Sequence, residues 1–384
     1  MSNILKSTAP MYQMKITAAF FPDNRQGIST VFFKHADIFN MEKNRLLKIK
    51  EPFFIAEIGL NHNGDYAAAE EMIRKAAQCG ADAVKFQTFV PELMNSPFTG
   101  DLLSGKENPK PDKSITDFFR KFVFSEEEYK KLKKLSIEAG LVFFSAPFDA
   151  PSVDMLEKID IPIYKVASSE VTNIPLLKRI GLTKKPVLLS TGMACEEEIN
   201  IAVSTLKSQG TGQIVILHCV SLYPIEAEEA NLGRITALKK RFNTMVGLSD
   251  HSRGTDSAAI AAALGAGVFE KHFKLSHNHD CPDKDVSVTP EEFASMIKSV
   301  KSAVTMTGTG AIDSNGRESE TAKGARRSLF AAEDIKAGSV ITEKHLVPLR
   351  PGTGIPVSEF YSIAGKQAVV DIKKGSLIKY SDIS

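Results

Sequence analysis

The sequence predicts an α/β chain: a (β/α)8 TIM barrel followed by a small, mostly β domain. Three observations carry this expectation. Short apolar, β-branched runs alternate eight times with helical patterns over about 250 residues, the size of one such barrel. No Gly-rich phosphate turn follows an early strand, as the competing doubly wound open sheet would usually have. Beyond residue 327 the texture changes to short β-type runs broken by AG, PG and KKG.

The strands are predicted at FFIAEI (53–58), DAVKFQT (82–88), LVFFSA (141–146), PIYKVAS (162–168), PVLLS (186–190), QIVILHCV (213–220), TMVGLS (244–249) and GVFEKHF (267–273). The first helix follows from Ala69, Met72, Ile73, Ala76 and Ala77 at helical spacing, with Gly80 as its stop. A second opens on Ser125 with Glu128 three residues later, a capping box, and ends at Gly140. The others are placed at 152–159, 174–180, 195–208, 231–241, 255–264 and 290–305. In the stretch IAEIGLNHNGD (55–65), Asn63-Gly64 is expected to turn the chain into the first helix, with Asp65 near its N-terminus and His62 shaping the rim. The connection 88–124 is long enough for either a lid or an exposed surface segment.

These limits give a barrel over 51–306, a Gly-, Ser-, Thr- and charge-rich linker over 307–327, and a second domain over 328–384. Within that domain DIKAGSVIT and DIKKGSLIK resemble one another, which points to an internal pseudo-repeat. About 57 residues make a thin core, so this domain is expected to pack on the barrel or on a partner subunit. Residues 1–50 form an extension without a clear pattern, although ISTVFF reads as a strand and MEKNRLLKIK as a helix or charged lead-in.

Of 384 residues, 43% are hydrophobic and 24% charged, and the net charge is 48 − 46 = +2. That balance argues against a nucleic-acid binder, so an anionic ligand must be held by local groups. Four scattered cysteines without a CxxC pair read as reduced thiols of a cytoplasmic protein. No apolar run reaches the roughly 18 residues of a membrane span, and the N-terminus lacks a signal-peptide pattern.

In a (β/α)8 barrel, chemistry sits at the C-terminal ends of the strands. Those ends supply Glu57; Lys85 and Gln87; Ser145; Lys165 and Ser168; Ser190; His218; Ser249, Asp250 and His251; and Glu270 with His272. Any one of them alone would be a hydrogen-bonded core group. Eight strands each ending in a polar side chain make a site. Lys85 and Lys165 with Ser168, Ser190 and Ser249 suit a bound phosphate or carboxylate. A buried lysine could instead form a Schiff base, whereas His251 and His272 on adjacent strands could share one divalent cation. The cluster HNHDCPD (277–283) has metal-type residues but reads better as a polar loop.

At this point the sequence resembles a known family. IAEIGLNHNGD, GADAVKFQT, FFSAPFD, IPIYKVASSE, PVLLSTGM, LHCVSLYP, VGLSDHS, FEKHF and LRPGTGIP run in the order found in the sialic acid (N-acylneuraminate or nonulosonic acid) synthases. The resemblance implies a (β/α)8 barrel with a C-terminal antifreeze-like (SAF) domain, and a domain-swapped homodimer. It implies condensation of phosphoenolpyruvate with an N-acylated mannosamine-type sugar, using a divalent metal, manganese ahead of magnesium or cobalt. By motif match, His251 and His272 would be the metal ligands. Lys85, Lys165, Ser168, Ser190 and Ser249 would hold phosphoenolpyruvate, while Glu57, Gln87, Tyr223, Glu270 and Asp283 would face the sugar. Arg350 would reach in from the small domain of a partner subunit.

One departure stands out: Ser221 in HCVSLYP replaces the Asn of many sialic acid synthases, which leaves a 6-deoxy diacetamido sugar open as substrate. Glu57 is the candidate for proton transfer. Two rival expectations remain, a synthase acting on a phosphorylated aldose and a non-catalytic carbohydrate- or ice-binding protein.

Overall fold

The computed structural model describes residues 51–312 and 316–384; the strand and helix expected within 1–50 lie outside the described residues. The chain divides into two compact units at Gly308/Thr309.

The first unit is a closed barrel of eight parallel strands in sequence order. They are β1 (Phe53–Gly59), β2 (Ala83–Thr88), β3 (Val142–Pro147), β4 (Tyr164–Val166), β5 (Val187–Ser190), β6 (Ile214–Cys219), β7 (Val246–Asp250) and β8 (Val268–His272). Pairing of Phe53–Glu57 with Val268–His272 closes the ring. Eight principal helices alternate with these strands, beginning with α1 (Tyr66–Gln78) and ending with Pro290–Thr307.

Because strand side chains alternate between faces, each strand splits its residues between two cores. Phe53, Ile55, Ala83, Val142, Phe144, Ile163, Leu188, Val215, Leu217 and Val268 fill the inside of the barrel. Phe54, Ala56, Val84, Phe143, Tyr164, Leu189, Ile216 and Phe269 pack outward in the larger core shared with the helices. Gly247 is the small inward residue of β7: a Cβ there would lie 2.4 Å from the Val268 carbonyl oxygen.

The helix starts follow the expected chemistry. Asp65 caps α1, its Oδ1 accepting from the N–H groups of Ala67 at 2.8 Å and Ala68 at 3.3 Å. Asn63 and Gly64 turn the chain with φ of 55° and 76°. Ser125 and Glu128 form a complete capping box on the helix Glu126–Glu138. The long connection 88–124 holds three short helices, Pro91–Met94, Thr99–Leu103 and Ser114–Arg120.

The second unit contains a helix, Gly316–Ala325, inside the stretch expected to be linker. Its Glu, Ala and Lys residues are good helix formers even in a Gly- and Ser-rich context. A two-stranded antiparallel sheet follows, β9 (Ser328–Ala331) and β10 (Leu346–Leu349). The two DIK segments face one another. Ile335 and Ile372 exchange both backbone hydrogen bonds at 2.8 Å. Asp334 accepts from the Lys374 N–H and Asp371 from the Ala337 N–H, each at 2.8 Å, so each segment caps its copy. Among the described residues, no helix is long and apolar enough to cross a membrane.

Candidate active site

The inward positions that carry apolar side chains at the bottom of the barrel become polar at its C-terminal mouth. There a cavity of about 400 Å³ is lined by Glu57, Lys85, Gln87, Lys165, Ser168, Ser190, Ser221, Tyr223, Ser249, His251, Glu270, His272 and Asp283. Every barrel residue to which the family resemblance gives a role therefore lines one cavity. Arg350 belongs to the second unit, where it is exposed at the end of β10 before a cis Arg350–Pro351 bond.

Three of the strand-end residues expected in the mouth are not there, and strand alternation is the reason. Ser145 points out of the barrel to bond the Thr88 hydroxyl at 2.7 Å, leaving Ala146 as the inward residue of β3. His218 points out to the Ala230 carbonyl oxygen at 2.8 Å, leaving Cys219 inward on β6. Asp250 points out to Lys271 at 2.9 Å. The mouth is thus polar on six strands, with Ala146 and the thiol of Cys219 completing it.

Glu270 is the hub. Its Oε1 accepts from Lys85 Nζ at 2.8 Å, Lys165 Nζ at 3.0 Å and Ser249 Oγ at 2.8 Å. Glu57 Oε1 accepts from Gln87 Nε2 at 3.0 Å, and its Oε2 lies 3.4 Å from Lys85 Nζ, an ion-pair distance without a directed hydrogen bond. Gly59 makes this approach possible: it adopts φ +51° where β1 ends, and a Cβ there would sit 2.9 Å from Glu57 Oε1.

Burial and charge divide the protons among these four groups. Burial would raise Glu270, but Lys165 and Lys85 hold it well below the usual carboxylate range. Burial raises Glu57 above its ordinary value, and Lys85 only partly offsets that. Lys85 stays high because Glu270 and Glu57 outweigh its own burial. Burial pulls Lys165 down despite Glu270. The mouth therefore holds one firm carboxylate, one carboxyl biased toward protonation, one firm ammonium and one weakened ammonium.

Several buried polar atoms here have no hydrogen-bond partner: Glu57 Oε2, Glu270 Oε2, Ser190 Oγ and His272 Nδ1. Buried polar groups are rarely left so without a reason. Near Ser190, Ser168 Oγ accepts from the Gly192 N–H at 3.0 Å. A Cβ on Gly192 would lie 2.2 Å from Ser221 Oγ and 2.8 Å from Ser168 Oγ, so this residue leaves the serine hydroxyls a shared space.

His251 and His272 are neighbours, with ring centroids 5.3 Å apart, and Tyr223 stacks on His251 at 4.0 Å. His251 Nδ1 donates to the Val220 carbonyl oxygen at 2.8 Å, which leaves the lone pair of the neutral ring on Nε2. His272 Nδ1 stands 3.3 Å from Asp283 Oδ2. Two imidazoles side by side, one with its Nδ1 held by a backbone carbonyl and the other with its Nδ1 facing a carboxylate, fit a divalent cation. Among the described residues no group of three or more His, Cys, Asp or Glu side chains is arranged to hold a metal. In the loop 277–283 only Asp283 reaches the cavity.

The rim also contains residues that strand-end reasoning missed. Leu60, Met94, Phe119, Phe148 and Met193 form an apolar border to the cavity. Met94 and Phe119 come from two of the short helices of the 88–124 connection, and they pack with Leu60 and Phe148 in a cluster around Phe89 and Phe122. Ala146 and Cys219 could have been found by counting in twos from Val142 and Val215; nothing in the sequence alone marks Met94 or Phe119.

A family model described as the NeuB family matches residues 72–312, and one described as the SAF domain matches residues 326–384. The chain is 38% identical over 331 residues to an uncharacterized protein of Methanocaldococcus jannaschii, covering 86% of this chain and 94% of that one. It is 34% identical over 337 residues to the N,N'-diacetyllegionaminic acid synthase of Legionella pneumophila, with 86% and 94% covered. The crystal structure of the N-acetylneuraminic acid synthetase of Leptospira borgpetersenii, in complex with citrate, superposes with a TM-score of 0.64 at 34% identity, covering 71% of this chain and 90% of that one.

Proposed function

The chain belongs to the NeuB family, and from that premise we propose that it condenses phosphoenolpyruvate with an N-acylated mannosamine-type sugar, releasing phosphate and a nine-carbon 2-keto acid. The observation that carries this reading is the convergence of Lys85, Lys165 and Ser249 on one oxygen of Glu270, beside the unpartnered hydroxyl of Ser190. Donors gathered around a single carboxylate oxygen are suited to a phosphate or carboxylate of a ligand.

In this reading C3 of phosphoenolpyruvate attacks the aldehyde carbon of the sugar, water adds at C2, and the C2–O bond to phosphate breaks. Lys85, Lys165 and the serines bind the anionic ends and fix the attack geometry. Glu57, raised by burial and with Oε2 unpartnered, is placed to hand a proton to the sugar oxygen. Glu270 keeps the two ammoniums in place through Oε1 and retains Oε2 for a ligand. A divalent cation held by His251 and His272, manganese ahead of magnesium or cobalt, would supply Lewis-acid polarisation of the aldehyde. Arg350, from the small domain of a second copy in a domain-swapped dimer, completes the sugar site; a fully active monomer in sedimentation would remove that part.

The wall supports an unphosphorylated sugar. Among the described residues, the basic side chains on the cavity apart from the histidines are Lys85 and Lys165, while Leu60, Met94, Phe119 and Phe148 offer apolar surface to deoxy or acyl groups. With Ser221, this favours a 6-deoxy diacetamido sugar over a sugar phosphate. The test is phosphate release from phosphoenolpyruvate with a panel of N-acyl mannosamine derivatives and their 6-phosphates, with and without manganese. His251→Ala is expected to abolish metal-dependent release; near-normal turnover by that variant without added metal removes the cation from the reading.

A further inference from the structure

The stretch NHNGD follows Glu57 on the mouth, yet nothing in the proposed reaction uses Asn61. Its side chain is nevertheless fully buried, and every polar atom is engaged. Oδ1 accepts from the Asp283 N–H at 3.0 Å, and Nδ2 donates to the Phe273 carbonyl oxygen at 2.9 Å and to Ser287 Oγ at 2.8 Å. Ser287 Oγ in turn donates to the Asp283 carbonyl oxygen at 2.6 Å. Asn61 thus grips both backbone groups of Asp283, the N–H directly and the carbonyl through Ser287.

The other end of the grip is also meaningful. Phe273 directly follows His272, and its N–H donates to the Glu57 carbonyl oxygen at 2.8 Å. One amide therefore ties the exit of β1, the exit of β8 and the loop carrying Asp283. Asparagine suits the position because it offers one acceptor and two donors on a short, planar group. An aspartate would set a carboxylate against the Phe273 carbonyl, and an aliphatic residue would strand a buried N–H and a buried C=O.

We propose that Asn61 is a positioning residue: its amide fixes Asp283 at the 3.3 Å distance from His272 Nδ1 seen in the mouth, and it acts on the reaction only through Asp283. Asn63 adds an outer support, donating to the Asp280 carbonyl oxygen at 2.7 Å in the same loop. This inference rests on the proposed reaction for its kinetic consequences but not for its structural ones.

The experiment is a double-mutant cycle combined with hydrogen exchange. Asn61→Ala and Asp283→Ala are each expected to lower kcat/KM for the sugar by roughly tenfold or more, as loss of an outer-shell partner does. The double variant should then fall within about threefold of Asp283→Ala alone, because residues acting as a unit are not additive. Losses that multiply overturn the proposal. In parallel, amides of 276–287 should exchange about tenfold faster in Asn61→Ala while those of β4 and β6 stay as in the parent. Equal acceleration throughout the barrel makes Asn61 a general fold residue and also overturns it. Should Asn61→Ala fail to fold, Ser287→Ala, which cuts one arm of the grip, must speed exchange in the same loop; parent-like exchange there overturns the proposal. If the parent releases no phosphate with any sugar, the proposed reaction falls, and the exchange arm still decides the role of Asn61.

Discussion

Two buried lysine–carboxylate clusters stand back to back across the barrel wall, built from adjacent residues of the same two strands. Ser249 and Glu270 face inward, and Asp250 and Lys271 face outward. The outer cluster is saturated. Lys271 Nζ donates to Asp250 Oδ2 at 2.9 Å and to the Ser252 carbonyl oxygen at 2.5 Å, and Asp250 also accepts from Ser257 Oγ at 2.7 Å and the Ser252 N–H at 2.9 Å. The inner cluster leaves one oxygen on each glutamate without a hydrogen bond, Glu57 Oε2 having only the 3.4 Å ion pair with Lys85. On these two strands, complete pairing goes with the outward groups that hold the wall, and incomplete pairing goes with the inward group that faces the cavity.

The largest effect is expected from breaking the saturated side. Lys271→Met keeps the shape but leaves Asp250 as a buried carboxylate without its cation, which costs about 3–5 kcal/mol. Urea unfolding should show that loss, while KM for phosphoenolpyruvate in the folded protein stays near the parent value. A KM shift as large as that of an inner-cluster variant would break the comparison.

Lys165→Met is the mirror experiment. Glu270 keeps Lys85 and Ser249, and one poorly solvated ammonium is removed, so stability should hold or rise. Turnover should suffer instead: kcat/KM for phosphoenolpyruvate is expected to drop roughly 10²–10³-fold, the effect of losing one charge-stabilising donor. A destabilised but fully active Lys165→Met would place it with the structural cluster.

The same contrast explains what could be read from the sequence. The eight strands, their helices and the capped starts at Asp65 and Ser125 were legible because local chemistry specifies them. The DIK repeat was legible as a repeat, whereas its reciprocal caps join residues 34 and 40 positions apart. Strand ends were legible as polar, but their facing was not fixed by polarity. Ser145, His218 and Asp250 resemble Ser190, His251 and Glu57 in type, and only the two-residue period separates outward from inward. The apolar rim was not legible at all, since Met94 and Phe119 reach the mouth through the path of a 37-residue connection that no periodicity describes. Asn61 was visible as a residue and opaque as a role, because its partners lie more than 200 positions away in the chain.

The smallest effect sharpens the comparison with a group that is neither lysine nor carboxylate. His62 lies one residue from Asn61 and is 1% exposed, stacked on Phe124 at 4.4 Å with Phe86 and Phe122 nearby. Its Nδ1 accepts from the Gly64 N–H at 3.0 Å. Burial pushes its pKa down to about 4, against the Gly59 carbonyl and Asp65. The folded protein therefore binds this proton later than the unfolded chain does, whose histidine titrates near 6.5. The stability this neutral ring contributes is fully present above pH 6.5 and is lost as pH falls from there toward 4, at about 1.4 kcal/mol per pH unit. Urea unfolding at pH 7.5 and 5.5 should show that difference in the parent and lack it in His62→Gln; His218, which burial also lowers, acts in the same direction in both and cancels. The pH dependence of KM for phosphoenolpyruvate should be the same in both proteins. If His62→Gln instead moved that profile and left the unfolding difference in place, a saturated buried group five residues from Glu57 would be acting in the mouth, and pairing would no longer separate the two kinds of site.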